Sequence, residues 1–226
     1  MPSPKKPARS AKAARPSLTK GAKYRHGNLR EALVAMAIES MNERSDASFT
    51  LREAAQRIGV SHSAAYRHFP SKGALLAELA KRGFALLVHE MTNALEQGKT
   101  PPEMVRRLAR AYLRTALEHP ALFRCMFGPN DFGPEEALAV EKACVPAYEL
   151  LAEAAKRISS GHEPTEERIE NIGLALWSAV HGVTCLALDG QLSEPGEKLR
   201  LRDFETMSDR VCELLISGVL QPSSRI

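Results

Sequence analysis

Three features of the sequence predict an all-α fold. Apolar residues recur at helical spacing from residue 27 to residue 218, Ser, Thr, Gly and Pro stand where helices need caps and stops, and no alternating run of β-branched residues occurs. The chain has 226 residues, of which 44% are hydrophobic and 26% charged, so it holds one or two domains with a core of ordinary size. Wholesale disorder and fibrous structure are excluded by that composition.

Residues 1–23 are rich in Pro, Ala, Lys and Ser without periodicity and read as a flexible basic arm. Leu29, Leu33, Met36, Ala37, Ser40 and Met41 then share one stripe of a helix over about 27–43. Thr50-Leu51-Arg52-Glu53 has the form of a capping box and starts a short helix that stops at Gly59. Ser61 caps another short helix, closed by Pro70. Ser71 caps a long helix to about Gln97, with Leu75, Leu76, Leu79, Gly83, Leu86 and Leu87 on one side. Pro101 and Pro102 restart the chain, and Val105, Leu108, Tyr112 and Ala116 form a stripe in a stretch that ends at His119-Pro120. Further helices are expected over about 135–158, 165–188 and 199–218, the last striped by Phe204, Met207, Val211, Leu214 and Leu215. Gly128-Pro129-Asn130, Ser159-Ser160-Gly161 and Pro195-Gly196 mark loops between them.

The segment LREAAQRIGVSHSAAYRHF, residues 51–69, has the mechanics of a helix-turn-helix. Ala54 and Ala55 are small enough for close helix approach, Gly59 permits the turn, and Ile58, Val60, Ala65 and Phe69 supply a shared core. With Ala65 and Phe69 inward, His62 and Tyr66, and Ser63 and Arg67, fall on the outer side. A helix of that size fits a DNA major groove. The competing reading is a plain helical hairpin, and charge weighs against it. Residues 1–83 carry 16 Lys and Arg against 6 Asp and Glu, while residues 84–226 carry 15 against 21. A cationic front and an acidic back suggest a polyanion-binding module followed by an effector or oligomerisation module.

The run from Tyr24 to Leu79, above all TLREAAQRIGVSHSAAYRHFPSKGALLAEL at 50–79 with its Tyr66, His68, Phe69 and Lys72 ending, resembles the DNA-binding domain of TetR-family transcriptional regulators. Behind it, ALEHPALFRCMFG at 116–128 and LWSAVHG at 176–182 resemble the C-terminal type named for a Trp, a His and a Gly, here Trp177, His181 and Gly182. The resemblance implies an N-terminal three-helix helix-turn-helix DNA-binding domain, residues 24–83, plus a C-terminal helical ligand-binding and dimerisation domain, residues 84–226. It places Ser61, His62, Ser63, Ala64 and Arg67 at or near bases, and Thr50, Arg52, Tyr66, His68 and Lys72 mainly at phosphates. Arg67 departs from the family pattern, as does the small Ala65, which bears on which bases are read. The arm, with Lys20, Lys23 and Arg25 nearest the domain, would add phosphate or minor-groove contacts, or be a solvated tail.

Ala175, Ala179, Gly182 and Leu186 follow helical spacing, and small side chains there permit close helix approach. The resemblance makes this helix and the 199–218 helix a four-helix homodimer interface that matches a palindromic operator; packing within one chain is the competing reading. It also implies an effector pocket, for which Tyr112, Phe123, Phe127, Tyr148, Trp177 and His181 are the candidate lining, against the alternative of a packed core with one hydrogen-bonded histidine. The expected function is a ligand-responsive regulator, most simply a repressor released by a small molecule, and a nonspecific nucleoid or RNA binder is the alternative.

Enzyme chemistry is not expected. Gly98-Lys99-Thr100 lacks the glycine five positions earlier that a phosphate-binding loop needs, no GxSxG or HExxH occurs, and His62 and His68 lack neighbouring ligands for a metal. No catalytic residue, metal or cofactor is therefore assigned. The four cysteines form no CxxC pair and read as reduced thiols. Residues 171–188 contain no charge but are short for a membrane span and include Asn171, Ser178, His181 and Thr184, so a buried helix is expected and no membrane. Lys5, Lys6, Arg9, Lys12 and Arg15 precede no apolar run, so the cytoplasm is the expected location; the arm's composition is also that of a transit peptide, but without an apolar face.

Overall fold

The computed structural model describes residues 28–44, 47–159, 165–194, 197 and 199–220; the basic arm and parts of two expected loops lie outside them. Among the described residues there are nine helices and no strand, as the periodicity predicts.

The first helix, α1 (Leu29–Arg44), buries Leu33, Val34, Ala37, Ser40 and Met41. At α2 (Leu51–Arg57) the capping box forms in full: Thr50 Oγ1 accepts from the Glu53 N–H at 3.1 Å, and the Glu53 carboxylate accepts from the Thr50 N–H at 2.7 Å. Gly59 then takes φ 76°, a left-handed conformation that only glycine adopts without strain. Ser61 caps α3 (His62–His68) by accepting from the Ala64 N–H at 3.2 Å. Ala65 and Phe69 are buried with Leu33, Met41, Phe49, Leu51, Ala54 and Ala55, while Ile58 and Val60 are half-buried at the edge of this small core.

Helix α4 (Lys72–Gln97) runs unbroken from Ser71, whose hydroxyl accepts from the Ala74 N–H at 2.9 Å, to Gly98. It packs against α1 in the head and against α5 (Pro101–Glu118), α6 (Pro120–Phe127) and α7 (Pro134–Ser159) in the body. The expected division at residue 83 therefore falls in the middle of one continuous helix. Glycines set two close approaches along it. A Cβ at Gly73 would collide with the Asp131 carbonyl oxygen, and one at Gly83 would lie 2.5 Å from Met126 Sδ of α6.

Helix α6 departs from the sequence reading, in which His119-Pro120 is a stop; the structure uses Pro120 as the first residue of a new helix, where its missing N–H is no loss. The last two helices are α8 (Glu166–Leu188), capped by Thr165, and α9 (Leu201–Leu220). By length and composition α8 could cross a membrane; Ile172, Gly173, Leu176, Val180, Thr184 and Ala187 are buried against α5, α7 and α9, but 28% of its most apolar stretch is buried in all, so the helix is one-sided rather than the fully buried one expected from its sequence. Two ion pairs, Arg110 with Asp209 and Arg114 with Glu205, tie α5 to α9. Cys125 and Cys212 are buried free thiols, and burial pushes Cys125 up to about 12 and Cys212 up to about 11, so both stay protonated.

Candidate nucleic-acid interface and effector cavity

The outer side of α3 presents what the spacing predicts. Ser61, His62, Ser63, Tyr66, Arg67 and His68 are exposed, Tyr66 at 50%, and Ala64 is half-buried. Ser61 is occupied as the helix cap, and its hydroxyl also pairs with that of Ser63 at 3.1 Å. Among the described residues no ion pair or hydrogen bond engages the Arg67 guanidinium, so five N–H donors point to solvent beside His62 and Ser63. Thr50 and Arg52 are exposed at the start of α2. Lys72 differs from the rest: its ammonium donates to the Ala47 carbonyl and lies 5.3 Å from the Phe49 ring centroid, so it is partly committed to holding the 47–49 loop on α4.

The other cations of the head are held by carboxylates. Arg57 grips Glu43 of α1 at 2.9 and 3.0 Å and donates to Ser40 at 3.1 Å. Arg82 makes two 2.6 Å bonds to Glu31 and one of 3.0 Å to Glu78. Arg30 lies 4.5 Å over the Phe69 ring, donates to the His68 carbonyl at 3.3 Å and pairs with Glu78 at 2.9 Å. Burial opposes ionisation of Glu78, but donors from Lys81 and Arg82 overcome it and bring its pKa down to about 2. This network fastens the end of α3 to both α1 and α4, and sequence reasoning misses it. Only the Glu78–Arg82 spacing of four residues hints at it.

In the body, α4, α5, α6, α7 and α8 surround a small apolar cavity, with about 50 Å³ open to the centre of a water-sized sphere. Tyr112, Phe127, Tyr148 and Trp177 line it, together with aliphatic residues such as Leu87, Met91 and Leu108. Phe123 and His181 do not reach it. They stack on each other, 5.6 Å apart at 30°, behind Tyr112 and Phe127, because Phe123 lies 5.7 Å edge-on to Tyr112 and is itself buried. His181 Nδ1 pairs with the Tyr112 hydroxyl at 2.7 Å and Nε2 with the Cys185 thiol at 3.4 Å. Burial lowers the His181 pKa, which favours the neutral ring. Burial raises that of Tyr112 far above its ordinary value, the nearby Trp177 pulling weakly the other way.

A third surface lies on α8 and α9. Leu174, Leu186 and Leu214 are 57%, 46% and 76% exposed, and Ala175 is exposed beside half-buried Ala179 and Gly182. A Cβ at Gly182 or at Gly218 would meet nothing within 4 Å. Neither glycine is therefore required by packing within this chain.

Residues 33–79 match the family described as bacterial regulatory proteins, tetR family, and residues 105–211 match the tetracyclin repressor-like C-terminal domain. The chain belongs to the TetR family. The TetR-type match runs from within α1 to the first part of α4, and the C-terminal match runs from within α5 to the middle of α9. The nucleoid occlusion factor SlmA of Vibrio vulnificus is 31% identical over 102 residues, 45% of this chain and 52% of that protein, so the alignment spans about half the length of that relative. Among solved structures, a protein of unknown function from Rhodococcus sp. RHA1 superposes with a TM-score of 0.70 at 27% identity, covering 89% of this chain and all of that one. The TetR family transcriptional regulator PfmR from Thermus thermophilus superposes with a TM-score of 0.64 at 23% identity over 84% of this chain and 99% of its own, a likeness of fold.

Proposed function

We propose that this TetR-family chain is a DNA-binding transcriptional regulator, a repressor that grips a palindromic operator as a homodimer and releases it when a small molecule occupies the body. The observation that carries the reading is Arg67, which among the described residues has no partner, on the outer side of a head whose other described arginines, except Arg52, are engaged with carboxylates. In this reading Ser61, His62, Ser63, Ala64 and Arg67 face bases, and Thr50, Arg52, Tyr66, His68 and the remaining hydrogens of Lys72 face phosphates. Residues 24–83 form the reading head and residues 84–226 the effector and dimerisation body, of the Trp-His-Gly type through Trp177, His181 and Gly182. Because the DNA is chromosomal, the protein works in the cytoplasm.

The open face of α8 and α9 supports a two-fold interface, since Ala175, Gly182 and Gly218 let backbones approach closely and Leu186 and Leu214 would otherwise stay in water. An effector that fits only one spacing of the two heads shifts the population toward it by its differential affinity. The test is a gel-shift titration against DNA flanking the protein's own coding region at two salt concentrations. A regulator prefers one duplex over random sequence by about a thousandfold or more.

The likeness to SlmA favours a second reading, a nucleoid-associated binder. Binding that shows no preference among duplexes in the same titration would select that reading.

A further inference from the structure

The cavity's chemistry narrows the effector further, on the reading that an effector binds there at all. Its wall is made of Phe84, Leu87, Met91, Leu108, Leu151 and their apolar neighbours, and no charged side chain is part of it. Polar atoms come only from Tyr112, Tyr148 and Trp177. The Tyr112 hydroxyl is paired with His181 Nδ1 behind the wall, so the surface that faces the cavity is almost wholly apolar. A carboxylate or phosphate moved into this space would lose its water with no Lys or Arg to replace it, and an ammonium would find no carboxylate.

Tyr148, Leu151 and Trp177 also line a second, shallower apolar groove on the outside, between α7 and α8, with Ala152, Ile169, Gly173 and Leu174. The same three side chains thus stand between groove and cavity. Tyr148 and Trp177 meet edge to face at 5.5 Å, and Tyr148 is 45% exposed. Two residues before Tyr148, Pro146 lies inside α7 and has no N–H for the Lys142 carbonyl, so the helix lacks a rung there. Glu170 borders the outer groove and repels anions there.

We infer that the effector is an uncharged, lipophilic molecule of about one ring and a short chain, and that it enters along the α7–α8 groove past Tyr148 and Trp177. A steroid-sized or anionic acyl ligand does not fit this description.

Trp177 is the single tryptophan of the chain, so its emission reports the mouth directly. Three isosteric probes, 4-propylbenzyl alcohol, 4-propylbenzoate and 4-propylbenzylammonium, are titrated against the full chain. The alcohol is expected to saturate the Trp177 signal with roughly tenfold or better preference over either ion, since only the ions lose solvation without compensation. Equal or tighter binding of either ion, or an emission that none of the three moves, overturns the chemical class. Tyr148→Ala, an exposed position whose truncation leaves the core intact, is expected to raise the alcohol's association rate several-fold; an unchanged rate overturns the route. A gel shift on the same samples keeps the two readings apart. An alcohol that fills the cavity yet leaves the DNA complex intact overturns its role as effector and leaves the description of the cavity standing.

Discussion

Of the sixteen Lys and Arg in residues 1–83, eight precede residue 28 and are accompanied there by no Asp or Glu. Most of the head's cationic surplus thus belongs to the arm. Within the head, Arg30, Arg44, Arg57, Lys81 and Arg82 face carboxylates, which leaves Arg52, Arg67 and the tethered Lys72 to meet an anion. Charge counting along the chain is therefore right about sign but blind to pairing, which is set by contacts between residues up to 51 positions apart. For Arg67→Ala we expect a loss of about 1–3 kcal/mol against the preferred duplex and relaxed discrimination at one base pair, if the guanidinium grips a guanine. Equal weakening on every sequence in a gel shift would reassign Arg67 to the backbone.

Glu78 supplies a pH dependence whose sign follows from its depressed pKa. The folded state holds the carboxylate ionised down to about 2, against an ordinary 4.5, so its contribution is full above pH 4.5 and is lost as the pH falls toward 2. Thermal unfolding followed between pH 6 and about 3 should show a shallower acid decline for Glu78→Gln than for the wild type.

Helices whose ends are written in side chains were legible in advance. Thr50, Ser61 and Ser71 each cap as their sequence context predicts, and Gly59 turns where only glycine turns easily, while Thr100 and Thr165 cap α5 and α8 without having been singled out by the sequence reading. Thr50→Ala removes one half of the capping box and should cost about 1 kcal/mol in a denaturant melt, with Thr50→Ser close to neutral. What escaped was α6, whose eight residues span too little sequence to show a period, and whose proline serves as a start. Its placement matters for the body: Phe127 reaches the cavity, Cys125 packs on Met41 of α1 at 3.6 Å, and Met126 packs on Gly83. The candidate lining was legible only as aromatics on facing helices. Which of them reach empty space depends on how Phe123 and His181 stack, and no spacing along the chain encodes that.

At the scale of the whole molecule, the small-residue stripe on α8 was legible, while its exposure was not, because intramolecular burial would give the same pattern. Leu214→Glu puts a charge at the centre of the proposed two-fold face without touching the buried core, and scattering should then report single protomers with an unchanged melting profile. Deleting residues 1–23 should flatten the dependence of DNA affinity on salt while sparing sequence preference, because phosphate neutralisation sets the slope and base contacts do not.

The uninterrupted course of α4 has a mechanical consequence. If the shaft pivots where Met126 rests on Gly83, the eleven residues back to Lys72 make a lever about 16 Å long. A swing of about 5° at that fulcrum carries the tip about 1.4 Å, and in a symmetric pair the two displacements add. Gearing of this kind would let a molecule no larger than a substituted benzene, wedged against one side of the shaft, spoil the pitch at which two reading helices meet successive grooves.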